Sequence, residues 1–279
     1  MVVKNNALRP SAAGETMRQR FGAVVGELTD ADKRVFVLLA DISFDYFRGV
    51  AERHPDRVVN FGIMEQTVMS AAAGVALEGF IPVVHSIAPF IVHRPFEQLR
   101  VDFVYQRLGV NVVSIGASYD YAEDGYTHNA PDDVPALRAL TGVEIVVPGT
   151  PAEFETLFRA AYADGAPTYF RLSQQRNVDD RPVRFGQLEV VRHSTGAPVV
   201  IAVGPMLDRA LAAAADLDVS VAYCTTAAPL DAATLRELAG PEPAVLLIEP
   251  WHAGALIPDV VSALGSGPIR VDAVGVPRG

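Results

Sequence analysis

Short runs of apolar, β-branched residues alternate along the chain with longer segments whose apolar positions recur at helical spacing. Residues 35–40, Val-Phe-Val-Leu-Leu-Ala, are apolar on both faces, as a strand in the middle of a parallel sheet must be. Comparable runs lie at 58–61, 81–85, 110–115, 143–147 and 168–172, and helix candidates fall between them at 17–28, 66–77, 96–107, 134–140 and 152–163. This alternation predicts an α/β fold with helices on both faces of a doubly wound sheet. The stretch 173–187 is polar, carries Arg176, Asp179, Asp180, Arg181 and Arg184, and has no periodicity. It reads as a linker. Strand runs then resume at 198–203, 219–223, 244–248 and 269–274, with helices expected at 206–217, 232–238 and 256–264. The pattern predicts an N-terminal tail (1–14), a larger doubly wound domain (15–174), a linker (175–187) and a second, smaller doubly wound domain (188–279).

Composition changes this picture little. A chain of 279 residues can build two modest cores. Half of its residues are hydrophobic and 20% are charged, which is ordinary for a soluble globular protein. The formal net charge of −10 argues against nucleic-acid or anionic-membrane binding. A single cysteine, Cys224, excludes an internal disulfide and reads as a small buried hydrophobe. The N-terminus lacks the continuous apolar stretch of a signal peptide, and no window of about 18 apolar residues suggests a membrane span. A cytoplasmic location is expected.

Ligands of open α/β sheets sit beyond the carboxyl ends of the strands. Three expected strand ends carry polar groups there: Asp41-Ile42-Ser43-Phe44-Asp45, Glu65, and Glu123-Asp124-Gly125-Tyr126-Thr127-His128. Glu65 stands between an apolar run and a helix, where a buried carboxylate needs a partner. Its general explanation is a helix N-terminal carboxylate favoured by the macrodipole. No P-loop and no Gly-x-Gly-x-x-Gly follows a strand. Glu123-Asp124-Gly125 resembles a metal–diphosphate Gly-Asp-Gly motif but lacks the asparagine that should follow.

The stretch FGIMEQTVMSAAAGVALEGFIPVVHSIAPFIVHRPFEQLRVD, followed by AEDGYTHN, resembles the pyrimidine-binding domain of transketolases. TTAAPLD, LLIEPWHAGAL and VDAVGVPRG resemble the transketolase C-terminal domain, in family order. The large domain that grips the cofactor diphosphate in full-length transketolases has no counterpart in the sequence. The resemblance therefore implies the small subunit of a split transketolase, a transferase moving a two-carbon ketol unit from a ketose-type donor to an aldehyde acceptor. It also implies thiamine diphosphate shared with a large subunit, Mg2+ held by that subunit, and a two-plus-two heterotetramer. A helix rich in small residues, including Ala72 and Gly74, is expected at a subunit interface, because Gly in a helix interior costs about 1 kcal/mol.

The same resemblance assigns site residues. Glu65 falls where a glutamate shares a proton with the cofactor's pyrimidine ring, and Phe90 where an aromatic packs against it. Ile87 and His93 stand where a second aromatic and a tyrosine are common. Asp41 and His128 fall near the cofactor and the substrate channel, His128 as a catalytic residue, and Asp124 where an aspartate binds a sugar hydroxyl. Tyr126 replaces a usual proline. The family's substrate-phosphate ligands fall on Arg18, Asp45, Gly116 and Gln174, of which only Arg18 keeps the family residue. A carboxylate at 45 repels a phosphate in a partly desolvated site, so a substrate without a terminal phosphate is expected, with Arg176 the candidate to restore charge. Other readings stay open: the β subunit of a 2-oxo acid dehydrogenase, a pyruvate-type carboligase like deoxyxylulose-phosphate synthase, a silent scaffold subunit, or a free-standing nucleotide-binding protein on fold alone.

Overall fold

The computed structural model describes residues 9–278, so most of the expected tail, residues 1–8, lies outside it. Thr16 opens the first helix, α1 (Met17–Ala31), with a capping box: its hydroxyl accepts from the Gln19 backbone N–H, and the Gln19 side chain accepts from the Thr16 N–H. The chain then runs through β1 (Val35–Leu39), α2 (Phe44–Arg53), β2 (Val58–Asn60), α3 (Glu65–Leu77), β3 (Ile81–Ile87) and α4 (Ala88–Val92). A short helix, α5 (Phe96–Gln98), continues as a π-helical segment, Leu99–Tyr105, in place of the single α-helix expected there. β4 (Val110–Ile115), α6 (Asp133–Leu137), β5 (Glu144–Val146), α7 (Pro151–Ala161) and β6 (Pro167–Arg171) complete the larger unit.

Its strands are parallel and lie in the order β5–β6–β4–β3–β1–β2. Successive residues feed opposite cores. Val84 and Val112 face α3 and the π-helical segment through Val68, Met69, Ala72 and Phe103, whereas Val83 and Val113 face α1 and α7 through Phe21, Val24, Phe154 and Phe158. Burial on both faces is why these strands read as mainly apolar runs without regular alternation. The order reverses between β1 and β3, the kind of switch point beyond whose carboxyl ends ligands of open α/β sheets bind.

The second unit contains β7 (Leu188–Arg192), β8 (Val199–Val203), α8 (Leu207–Ala213), β9 (Ser220–Cys224), β10 (Thr226–Ala228), α9 (Ala232–Ala239), β11 (Ala244–His252), α10 (Ile257–Leu264) and β12 (Arg270–Val276). Its sheet runs β12–β11–β8–β9–β7, parallel except for β7 at the edge. β10 leaves this unit and pairs antiparallel with β5, extending the first sheet to seven strands. The fold class is as expected, two parallel-dominated α/β sheets. The linker has no helix or strand, but Asn177 within it is buried and donates to the Gly204 carbonyl. Beside it, Tyr223 of β9 donates to Glu153 of α7 at 2.6 Å, tying the two units together. Glycine is required at 149, because a Cβ there would come within 2.2 Å of both Asn177 and Tyr223.

One expectation about α3 is corrected. Ala72 is fully buried in the core of its own domain, so it cannot face a partner. The exposed face carries Gln66, Thr67, Ser70, Gly74 and Leu77, with open space around Gly74.

Candidate active site

Glu65 is the first residue of α3 and is only 3% exposed. The chain reaches it through a turn in which Gly62 takes a left-handed φ of +72°. Both carboxylate oxygens accept from Nη1 of Arg94, each at 3.0 Å. The Arg94 guanidinium lies 3.9 Å above the ring centroid of Phe90, and Phe90 meets His128 edge to face at 5.0 Å. Glu65, Phe90 and His128 are thus brought together, with Arg94 among them. The slot they form holds a planar group with an N–H edge toward a carboxylate and a face toward a phenyl ring, as the guanidinium shows. An aminopyrimidine presents the same features, so these residues fit the pyrimidine half of thiamine diphosphate.

The other residues singled out in the sequence lie on neighbouring strand ends and loops. Asp41 is exposed at the end of β1, with a left-handed φ of 68°, and its N–H donates to the Asn60 side chain at 3.0 Å. His93 turns to Asp132, with 3.2 Å between Nε2 and Oδ1. Ile87 is buried at the end of β3. Asp124 and Tyr126 are exposed on the loop after β4. Among the described residues no group of three or more His, Cys, Asp or Glu is placed to hold a metal ion.

A cavity of about 440 Å³ opens at the same edge of the sheet, lined by Arg18, Tyr46, Gly116, Tyr121, Gln174 and Arg176 among others. A hydrogen-bond chain fixes its Arg18. His85 is fully buried and held neutral, its pKa pushed down to about 3 by burial. Its Nδ1 lies 2.7 Å from the Val113 carbonyl, which can only accept, so Nδ1 carries the proton and Nε2 is the acceptor. The Ser43 hydroxyl therefore donates to Nε2 at 2.6 Å, and its oxygen accepts from Nε of Arg18 at 2.8 Å. Arg176 is held by the Glu15 carbonyl at 2.8 Å. Neither arginine forms an ion pair with a described carboxylate.

Two departures from the family pattern acquire physical reasons. Gly116 has a left-handed φ of +76°, and a Cβ there would lie 2.6 Å from the Tyr121 ring and 2.9 Å from Ile87. Tyr121 occupies the space that a histidine at 116 would need. Asp120 braces this loop, accepting from the backbone of Ala117 and Gln174 and from the Ser173 hydroxyl. The assignment of Asp45 is corrected. It lies in the first turn of α2, its side chain is 86% exposed, and it pairs with Arg48 at 2.7 Å. The cavity is not lined by Asp45, and Ser43 takes the place beside Arg18. The repulsion that argued against a substrate phosphate falls away with it.

Residues 14–178 match the family described as the transketolase pyrimidine-binding domain. The chain is 38% identical over 260 residues to an uncharacterized 33.6 kDa protein in the fasciation locus of Rhodococcoides fascians, covering 92% of this chain and 83% of that protein. It is 29% identical to one of the subunits of an apulose-4-phosphate transketolase from Actinobacillus succinogenes, over 81% of this chain and 76% of that relative. It is 30% identical to 1-deoxy-D-xylulose-5-phosphate synthase of Cupriavidus metallidurans, over 87% of this chain but 40% of the synthase. Among solved structures, a split-gene transketolase in the form of an inactive β4 tetramer matches with a TM-score of 0.82 at 28% identity, over 95% of this chain and 90% of that one.

Proposed function

This chain belongs to the transketolase family, whose pyrimidine-binding domain it carries, and from that premise we propose that it is the small subunit of a two-component thiamine-diphosphate-dependent transferase. In this reading a two-carbon ketol unit passes from a ketose-type donor to an aldehyde acceptor. The observation that carries it is the convergence of Glu65, Phe90 and His128 at the carboxyl edge of the sheet. The cofactor, when bound, supplies the electron sink for breaking and making a carbon–carbon bond beside a carbonyl. Glu65 holds or shares a proton at the pyrimidine nitrogen, and the face of Phe90 supports the ring. His128 has Nδ1 against the Thr127 hydroxyl at 3.0 Å, so Nε2 is left to exchange a proton with a substrate oxygen. Asp124, exposed on the same loop, receives a sugar hydroxyl.

The diphosphate and its Mg2+ fall to a large subunit, and two copies of each chain form a closed assembly of two-fold symmetry. Two relatives support a partner of this kind: one is named as a subunit of a transketolase, and the other is a split-gene transketolase whose β4 tetramer is described as inactive. On this side the contact surface includes the exposed face of α3 together with Tyr105, which is 82% exposed. The isolated chain is therefore expected to bind thiamine diphosphate weakly, whereas the complex with a large subunit shows thiamine-dependent ketol transfer. Tight, Mg2+-dependent binding in calorimetry on the chain alone would contradict this division of labour. Pyruvate as donor is the second reading, favoured by the likeness to deoxyxylulose-phosphate synthases. Decarboxylation of pyruvate by the complex, without ketose turnover, selects it.

The cavity beside the pyrimidine slot sets the substrate's far end. Arg18 and Arg176 present two guanidiniums without carboxylate partners among the described residues, so a substrate ending in an anion is the better match. Arg176→Ala is expected to raise KM for an anionic substrate roughly five- to tenfold, in line with charge-assisted hydrogen bonds at a partly exposed site. KM for a neutral analogue should barely move. Equal effects on both substrates would remove Arg176 from recognition.

A further inference from the structure

The slot between Glu65 and Phe90 is filled by a side chain of the protein itself. Nη1 of Arg94 sits 3.0 Å from each Glu65 oxygen, and its Cζ lies 3.9 Å over the Phe90 ring. Those contacts use the carboxylate edge and the phenyl face that the cofactor's pyrimidine requires. A ring stacked on Phe90 with a nitrogen on Glu65 cannot coexist with the guanidinium in this position. We propose that Arg94 is a latch on the pyrimidine slot, and that the cofactor's ring enters by displacing its guanidinium from Phe90 and Glu65. This rests on the thiamine reading given above.

The surroundings suit such a part. Arg94 stands in the turn after α4, just before Pro95, and its side chain is 41% exposed. It can swing outward without repacking the core. Glu65, in contrast, is buried and has no other side-chain partner among the described residues. A buried carboxylate left alone is unfavourable. The latch keeps Glu65 paired until a ring nitrogen replaces the guanidinium. Partly exposed ion pairs and cation–π contacts are each weak, so the latch yields to a ring that arrives with a bound diphosphate behind it.

The test is cofactor binding by the complex with its large subunit. Thiamine diphosphate is titrated by calorimetry in the presence of Mg2+, with the rate of association followed by fluorescence. Arg94→Met removes the competing cation, and Arg94→Lys keeps a charge but loses the planar face. The expected result is binding about three- to tenfold tighter for Arg94→Met, the size set by a weak ion pair plus a cation–π contact. Arg94→Lys should fall between it and wild type, and association should quicken in both. Equal or weaker binding by Arg94→Met, in a complex that melts as wild type does, overturns the latch and makes Arg94 a support for the bound ring. If Arg94→Met fails to assemble, Arg94→Lys decides alone by the sign of its change. A wild-type complex that binds no thiamine diphosphate overturns the cofactor reading and the latch together, whereas normal wild-type binding with no gain in the variants overturns only the latch.

Discussion

Glu65→Gln in the assembled enzyme is expected to lose about 10²-fold or more in turnover, the scale of a positioned proton-transfer group. The substitution is nearly isosteric, so the slot between α3 and Phe90 keeps its shape. The amide oxygen can still accept from Arg94, whose side chain reaches both carboxylate oxygens at 3.0 Å. What disappears is the ability to hold an exchangeable proton against a ring nitrogen. Stability should fall little. The negative charge at the helix N-terminus contributes only about 0.3–1 kcal/mol, and the lost ion pair is partly open to solvent on its Arg94 side. Steady-state turnover, thermal melting and light scattering on the same preparation separate these effects. A variant that assembles normally and turns over near the wild-type rate would remove Glu65 from the chemistry.

The parts of this molecule visible in its sequence are those where one physical constraint dominates. Central parallel strands are buried on both faces, so β1 appears as an unbroken apolar run and β3, β4 and β6 as mainly apolar ones interrupted by buried polar residues such as His85, Asn111 and Thr168, and β4 falls on the expected residues. Glu65 is visible because a carboxylate directly after such a run is unusual. α2 escapes notice because only Phe47 and Val50 on it are buried, and its polar remainder resembles a loop. Counting residues through that segment as a loop is what placed Asp45 in the substrate site. Once α2 begins at Phe44, the first-turn side chain points to solvent. β10 is three residues long and pairs with a strand about eighty positions earlier, information that local periodicity does not hold.

The functional residues missed share a different cause. His85 lies inside an apolar strand, and a buried histidine there reads as core. Its role comes from the Val113 carbonyl on one side, which fixes the tautomer, and Ser43 on the other, which passes that orientation to Arg18. Ser43 reaches His85 through a left-handed backbone, φ 69°, which a non-glycine residue adopts only when its surroundings enforce it. Arg94 sits in a polar turn where an arginine is normally solvated. Its one legible signal is its place four residues after Phe90, one helical turn on, which can bring two side chains to the same face.

The largest loss of stability is expected from Arg171→Met. Arg171, at the end of β6, is 1% exposed, and its Nε donates to Asp133, which is fully buried, at 2.7 Å. Asp133 also accepts from the Tyr169 phenol at 2.8 Å, and that phenol in turn is hydrogen-bonded to Ser114 on β4. The Arg171 Nη2 donates to Ser118 and to the Ala130 carbonyl, and the guanidinium lies 5.4 Å from the Trp251 ring. One side chain therefore joins the first sheet, both ends of the loop carrying Asp124 and His128, and the second unit. Removing it strands the Asp133 charge in the interior, a change that costs about 3–5 kcal/mol. Thermal melting should drop by about 10 °C or more in a chain of this size. Arg171→Met combined with Asp133→Leu removes both charges and should recover part of that loss, because the buried charge is then gone. Activity should not return with it, since the loop bearing His128 has lost its bonds at Ser118 and Ala130. A single variant that melts within a degree or two of wild type would show that the pair is solvated, and that the loop is held by something other than Arg171.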